Sequence, residues 1–135
     1  MEKIRSFRDL IVWQLSSELS KEIHDLVKSF PRDERFSLSD DLLRSVRSIP
    51  ANIAEGWGRR FPKEKISFYN IANGSAEECS NHIIEARNID YISEATHDRL
   101  QKKVHVVAVK LTNLISATCK RVTKPPHEIS KKNLK

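Results

Sequence analysis

The sequence predicts an all-α protein, an antiparallel up-down-up-down four-helix bundle with a Pro-kinked second helix. Three observations carry this. Apolar residues recur at steps of three and four along four separate stretches, the period of one helical face. Only five prolines and three glycines punctuate the 135 residues, and no strand-like alternation lasts long enough to compete. The connections between the stretches are short, which sets neighbouring helices antiparallel.

The first helix is expected over about Phe7 to Phe30. Leu15, Leu19, Ile23, Leu26 and Phe30 form its stripe, and Pro31 stops it. Ser37 or Ser39 is expected to cap the second helix, with Asp40 and Asp41 in its first turn favoured by the helix dipole. Leu42, Val46, Ile49, Ile53 and Trp57 are its stripe. Proline in mid-helix removes a backbone donor and clashes one turn back, at a cost of ~3 kcal/mol. The stripe nevertheless stays in phase across Pro50, so one kinked helix is predicted, not two. Pro62 occupies a first helical position and opens the third helix. Its stripe of Tyr69, Ala72, Ala76, Cys79, Ile83 and Ala86 is rich in small residues, which lets a partner helix come near. Ser93 caps the fourth, whose stripe is Leu100, Val104, Val107, Leu111, Leu114 and Thr118. Residues 1–122 therefore read as one bundle domain. Residues 123–135, with Pro125-Pro126 and several lysines, read as a basic, disordered tail.

The run Ser48-Ile49-Pro50-Ala51-Asn52-Ile53-Ala54-Glu55-Gly56-Trp57-Gly58-Arg59-Arg60 breaks the helical composition most sharply. Each interior glycine costs ~1 kcal/mol relative to alanine. A sequence that keeps them here needs a special backbone shape or a close approach. Gly56 and Gly74 are both expected to permit close helix contacts. This run, with Phe7-Arg8-Asp9-Leu10-Ile11-Val12-Trp13, Phe30-Pro31-Arg32-Asp33-Glu34 and Ile71-Ala72-Asn73-Gly74-Ser75, resembles the 23S rRNA intervening sequence proteins over about residues 7 to 122. The resemblance implies a four-helix bundle. A related branch, the accessory proteins of diversity-generating retroelements, consists of pentameric basic barrels; it implies a homo-oligomer here and supplies five as its number. The motif from Pro50 to Arg60 is similar to the ribosomal-insertion branch. That family takes its name from genes found within ribosomal RNA insertions, which is a genetic association.

The formal net charge of +6 and the pI of about 9.5 point to an anionic partner. Met1-Glu2-Lys3-Ile4-Arg5 lacks the apolar run of a signal peptide. No stretch approaches the ~18 apolar residues that span a membrane. Cys79 and Cys119 lie far apart, outside any Cys-x-x-Cys spacing, so a reduced cytoplasmic setting is expected.

Basic residues fall in two places. Arg44, Arg47, Arg59, Arg60, Lys63 and Lys65 run along the second helix into the third, and lysines crowd the C-terminal third. From residue 120 onward six basic residues face one acidic, a net +5. Arg44, Arg47, Arg59, Arg60 and Lys63 are the candidate nucleic-acid contacts, because guanidinium forks suit phosphate and are held on a rigid element. The tail competes for the role, and a solvated surface is the plain alternative. No RNA-recognition signature interleaves aromatics with these charges.

Ser48, Asn52, Glu55 and Arg59 line one edge of the second helix. Glu55 and Arg59 are placed for an ion pair, and Asn52 for a bond across to another helix. Asn52, Glu55 and Arg59 are read as a structural polar network, in preference to an acid–base pair, because an arginine holds its carboxylate ionised. None of the five histidines stands at metal-ligand spacing, and no phosphate loop or nucleophile elbow occurs. No metal, cofactor or small-molecule substrate is expected. Leu10, Val12 and Trp13 cannot all share a face with Leu15 and Leu19. Ile71 and Ile84, and Val106 and Val109, lie off their helices' stripes. This surplus predicts either scattered exposure or a second face buried by self-association.

The function expected is a non-enzymatic oligomeric protein binding structured RNA or other nucleic acid through basic surface patches. The alternative is a protein–protein interaction scaffold that binds no nucleic acid.

Overall fold

The computed structural model describes residues 3–34 and 37–123. Four helices form it: α1 (Ile11–Leu26), α2 (Leu38–Gly58), α3 (Pro62–Asn88) and α4 (Glu94–Thr123). Short 3-10 turns lie at Phe7–Asp9, Val27–Ser29 and Arg32–Glu34. Among the described residues there is no strand. Residues 124–135, most of the expected tail, lie outside the described residues, and α4 carries the bundle one residue past 122.

Contacts along the helices give their directions. Gly56 near the end of α2 meets Tyr69 and the Lys65 carbonyl near the start of α3. At the other end, Leu38 and Asp41 share a cleft with Glu85, Asn88 and Ile89, so α2 and α3 run oppositely. Tyr69 lines a cleft with Leu114 and Thr118, while Ser80 donates to Gln101 at 2.7 Å, so α4 runs back along α3. Leu15 and Leu19 of α1 face Lys102 and Val106, and Leu10 and Val12 lie with Lys110 and Leu114. Hence α1 opposes α4.

The predicted stripes become the core. Leu19 and Ile23, Leu42 through Ile53, Tyr69 through Ala86, and Leu100 through Leu111 contribute their stripe residues to one buried cluster. Leu15, Leu26, Trp57 and Leu114 pack against it half-buried. Pro50 lies within α2 without dividing it. Pro62 is at the start of α3, and Ser93 Oγ accepts from the Thr96 amide at 3.1 Å, capping α4 as expected.

The first helix is shorter than the stripe implied. It begins at Ile11 and ends at Leu26, with a 3-10 turn on either side. At its start, Ser6 caps the turn and Asp9 reaches back to the amides of Arg5 (2.9 Å) and Ser6 (3.2 Å). At its end, Phe30 is extended, with ψ 154, the conformation that a following proline imposes. The turn also corrects the reading of Leu10, Val12 and Trp13 as surplus. Leu10 and Val12 are buried, and Trp13 packs on the core, edge-on to Phe7 with ring centroids 5.1 Å apart. The folded-back segment gives these side chains a partner that a straight helix from Phe7 would not.

The corner after α3 is closed without glycine. Asp90 takes a left-handed conformation, φ 62. The Tyr91 amide donates to Ala86 O at 2.9 Å and the Asp90 amide to Arg87 O at 3.0 Å, the paired bonds of a Schellman cap. Tyr91 then packs against Phe30, centroids 5.2 Å apart.

Both cysteines are free thiols. Burial pushes the Cys79 thiol up to about 12; Glu78 adds to the rise and a bond with Ser45 opposes it. A raised pKa leaves less reactive thiolate at any lower pH. A maleimide reagent at neutral pH is therefore expected to label the native protein once, at exposed Cys119, and the denatured protein twice. Rapid labelling of Cys79 in the native state would contradict the packing described.

Candidate nucleic-acid interface

The five predicted contact residues do not form one patch. At the usual rise per helical residue, the stretch of α2 from Arg44 to Gly58 spans about 21 Å. Arg44 lies in the N-terminal half, and its guanidinium is 2.6 Å from Asp41 and 3.7 Å from Asp40. Arg47 is exposed one turn further on. Arg59, Arg60 and Lys63 gather instead at the corner where α2 passes into α3. Among the described residues, no carboxylate stands within salt-bridge distance of Arg47, Arg60 or Lys63, whereas Arg59 is bound to Glu55 at 2.7 Å.

The corner has a local cause. α2 stops after Gly58, where Arg59 turns extended (ψ 149). Phe61 is also extended (ψ 141), directly before the proline that starts α3. Lys65 reaches back and donates to Trp57 O at 2.6 Å, satisfying a carbonyl of the last turn of α2. Its ammonium also lies 5.4 Å from the centre of the Trp57 ring. Each neighbouring arginine likewise takes an aromatic face: Arg59 is 4.6 Å over Phe68, and Arg60 is 5.6 Å over Phe61. From residue 55 to 65, four basic residues face two acidic, and the positive end of the α3 dipole adds to their potential. The charges here match the expectation from sequence; the rings beside them were not among the expected contacts. The signal was present, since Trp57, Phe61 and Phe68 stand within one to three residues of a basic residue. Only folding shows which ring each cation meets.

The polar edge of α2 splits in two. Asn52 Nδ2 donates to Ser48 O at 2.8 Å and to Ser48 Oγ at 2.9 Å. Ser75 Oγ of α3 donates to the same Ser48 Oγ at 2.8 Å. Ser48, not Asn52, thus makes the crossing between helices. Glu55 and Arg59 form a separate exposed pair, of a kind worth at most ~1 kcal/mol.

Of the two glycines, only Gly56 stands at a close helix contact. A Cβ there would lie 2.7 Å from Tyr69 Cε1, 2.9 Å from Cδ1 and 3.1 Å from Lys65 O. Gly74 is exposed, and a Cβ there meets nothing within 4 Å. The expectation for Gly74 is overturned by helical phase. Two residues from either Ala72 or Ala76 is ~200° around the helix, which turns Gly74 outward while its neighbours pack.

One titratable cluster lies elsewhere. Ligand atoms of Glu94, His97 and Asp98 fall within 4.8 Å of one another. Arg87 Nη1 sits 3.3 Å from His97 Nε2 and 3.4 Å from Glu94 Oε1, and His97 Nδ1 lies 2.9 Å from Asp98. Both ring nitrogens have partners, and the Arg87 guanidinium reaches two of the three groups. The cluster is an ion network clamping α3 to α4. On the opposite seam, Glu22 of α1 pairs with Arg99 and, at 2.7 Å, with Lys103 of α4.

These features define an all-α four-helix bundle whose second corner is basic and aromatic. Residues 8–113 match the family described as 23S rRNA-intervening sequence protein, and the chain belongs to that family. A solved protein of unknown function from the S23 ribosomal protein family of Bacteroides thetaiotaomicron is similar in structure. It has a TM-score of 0.74 and 25% sequence identity, over 78% of this chain and 96% of that one. No match is found among curated proteins. Among the described residues, no helix is long and apolar enough to cross a membrane.

Proposed function

We propose that this chain is a non-enzymatic, oligomeric protein of the cytoplasm that binds structured RNA or other nucleic acid through its basic surface. The observation that carries the reading is the α2–α3 corner, where Arg60 and Lys63 stand without a carboxylate partner among the described residues on a chain of net charge +6. Arg60 in the short connection between α2 and α3, and Lys63 in the first turn of α3, have no carboxylate among the described residues to leave before meeting phosphate, and each phosphate neutralised releases counterions. The binding is therefore salt-sensitive and weak in sequence preference.

The test is a mobility shift of a labelled, folded RNA by purified protein freed of co-purified nucleic acid. A shift at ~50 mM salt that fades as salt rises is expected. A second protein truncated after Val122 is expected to keep the shift. Loss on truncation assigns the binding to the tail and removes the corner from the role. No shift by the full-length chain leaves the interaction-scaffold reading in place.

Self-association is supported by Ile71, Ile84, Val106 and Val109, which remain exposed on α3 and α4. The pentamer number comes from family resemblance alone. Light scattering on a sizing column is expected to give a mass of five chains, and repeated corners would then add their weak contacts by avidity. A monomer at micromolar concentration contradicts the oligomer.

A further inference from the structure

We propose that the α2–α3 corner binds unpaired nucleotides, with a base stacked on Phe61 and the flanking phosphates held by Arg60 and Lys63. This rests on the nucleic-acid reading above and narrows it from a charged surface to a single-strand site.

The argument starts from the ring. Phe61 is the N-cap residue of α3 and is 57% exposed. Full burial of such a side chain would contribute roughly 1.5–3 kcal/mol, so this position leaves much apolar area in water. A lone exposed apolar residue is ordinary. This one differs in its surroundings: Arg60 precedes it and lies over the ring at 5.6 Å, and Lys63 follows two residues later. The other rings of the corner are less exposed. Phe68 is half-buried under Arg59, and Trp57 is half-buried beside Lys65.

An exposed ring flanked by cations without carboxylate partners is what a single strand requires. Every base has a π-face, so stacking tolerates any sequence, and cations track the backbone. A duplex keeps its bases stacked on each other and offers this ring little beyond its phosphates. Discrimination between single strand and duplex follows from Phe61, and affinity for both follows from Arg60 and Lys63.

Fluorescence anisotropy on the full chain tests this. One probe is a labelled RNA of about 12 nucleotides without self-complementarity, a length within the range that small single-strand folds occupy. The other probe is the duplex of the same sequence. Wild type is expected to prefer the single strand. Phe61→Leu keeps an apolar side chain at an exposed position. It is expected to weaken single-strand binding about 5- to 140-fold, the range for loss of one stacked base, with duplex affinity and salt slope unchanged. Phe61→Trp is expected to retain or tighten single-strand binding. Arg60→Gln with Lys63→Gln is expected to weaken both probes and flatten the salt slope. A DNA strand of the same sequence separates the two sources of unpaired nucleotides. Equal affinity assigns the site to any single strand, and a tenfold loss assigns it to RNA.

The proposal is overturned if wild type binds nucleic acid and Phe61→Leu, folded by its thermal melt, binds the single strand as wild type does. It is equally overturned if Phe61→Leu weakens both probes alike. Binding of neither probe by wild type instead overturns the nucleic-acid reading itself.

Discussion

Replacing Gly56 by alanine is expected to destabilise the bundle by up to about 2 kcal/mol, and by valine more. The added Cβ would sit 2.7 Å from the Tyr69 ring and 3.1 Å from Lys65 O. Neither neighbour yields easily, because Tyr69 is 1% exposed and the oxygen belongs to the α3 backbone. Relief requires moving α3 from α2, and overpacking of this kind costs about 1–3 kcal/mol. Alanine's better helix propensity returns only ~1 kcal/mol of it. The matched control is Gly74→Ala, which meets open space and is expected to raise stability by about 0.5–1 kcal/mol. Thermal melts of the two variants against wild type decide the matter. Gly56→Ala melting at or above wild type would mean that the contact is soft.

Ala76→Leu is expected to cost about 3 kcal/mol, the upper part of the range for overpacking. Ala76 is fully buried on α3, the helix that packs on α2 through Ser75–Ser48 and on α4 through Ser80–Gln101. Leucine is nearly as good a helix former as alanine, so the loss measures packing and little else. Urea unfolding should show a lower midpoint at an unchanged slope, which marks a loss of stability without a change in the surface exposed. An unchanged midpoint would mean that the α3 interfaces hold enough free space for three more carbons.

Much of the architecture was legible because periodicity survives any rearrangement of neighbours. Most stripe residues of α2, α3 and α4 went into the core, with Trp57 and Leu114 packing half-buried against it, and Pro62 and Ser93 marked two helix starts by local chemistry. The ends of α1 were less legible. Its stripe runs on through Phe30 while the backbone has already tightened into a 3-10 turn ahead of Pro31, and a stripe records side-chain direction without recording which carbonyl an amide chooses. The α3–α4 corner had no glycine to announce it, because Asp90 takes the left-handed position.

The candidate site was less legible than the fold. The charges of Arg59, Arg60 and Lys63 stood in the sequence, as did the Glu55–Arg59 spacing, which the structure realises at 2.7 Å. The pairing of Arg44 was legible too, since Asp40 and Asp41 stand four and three residues before it, whereas the ring that each corner cation meets is fixed only by folding.

By itself the sequence determined the helix count, the four buried faces and the excess of positive charge, since each is a property of spacing or composition along one chain. The tertiary structure alone decided which glycine is crowded and which serine crosses between helices. Each of these depends on a neighbour far along the chain. Gly56 is crowded because Tyr69 lies opposite, and Gly74 is not because its direction from the helix axis meets no partner.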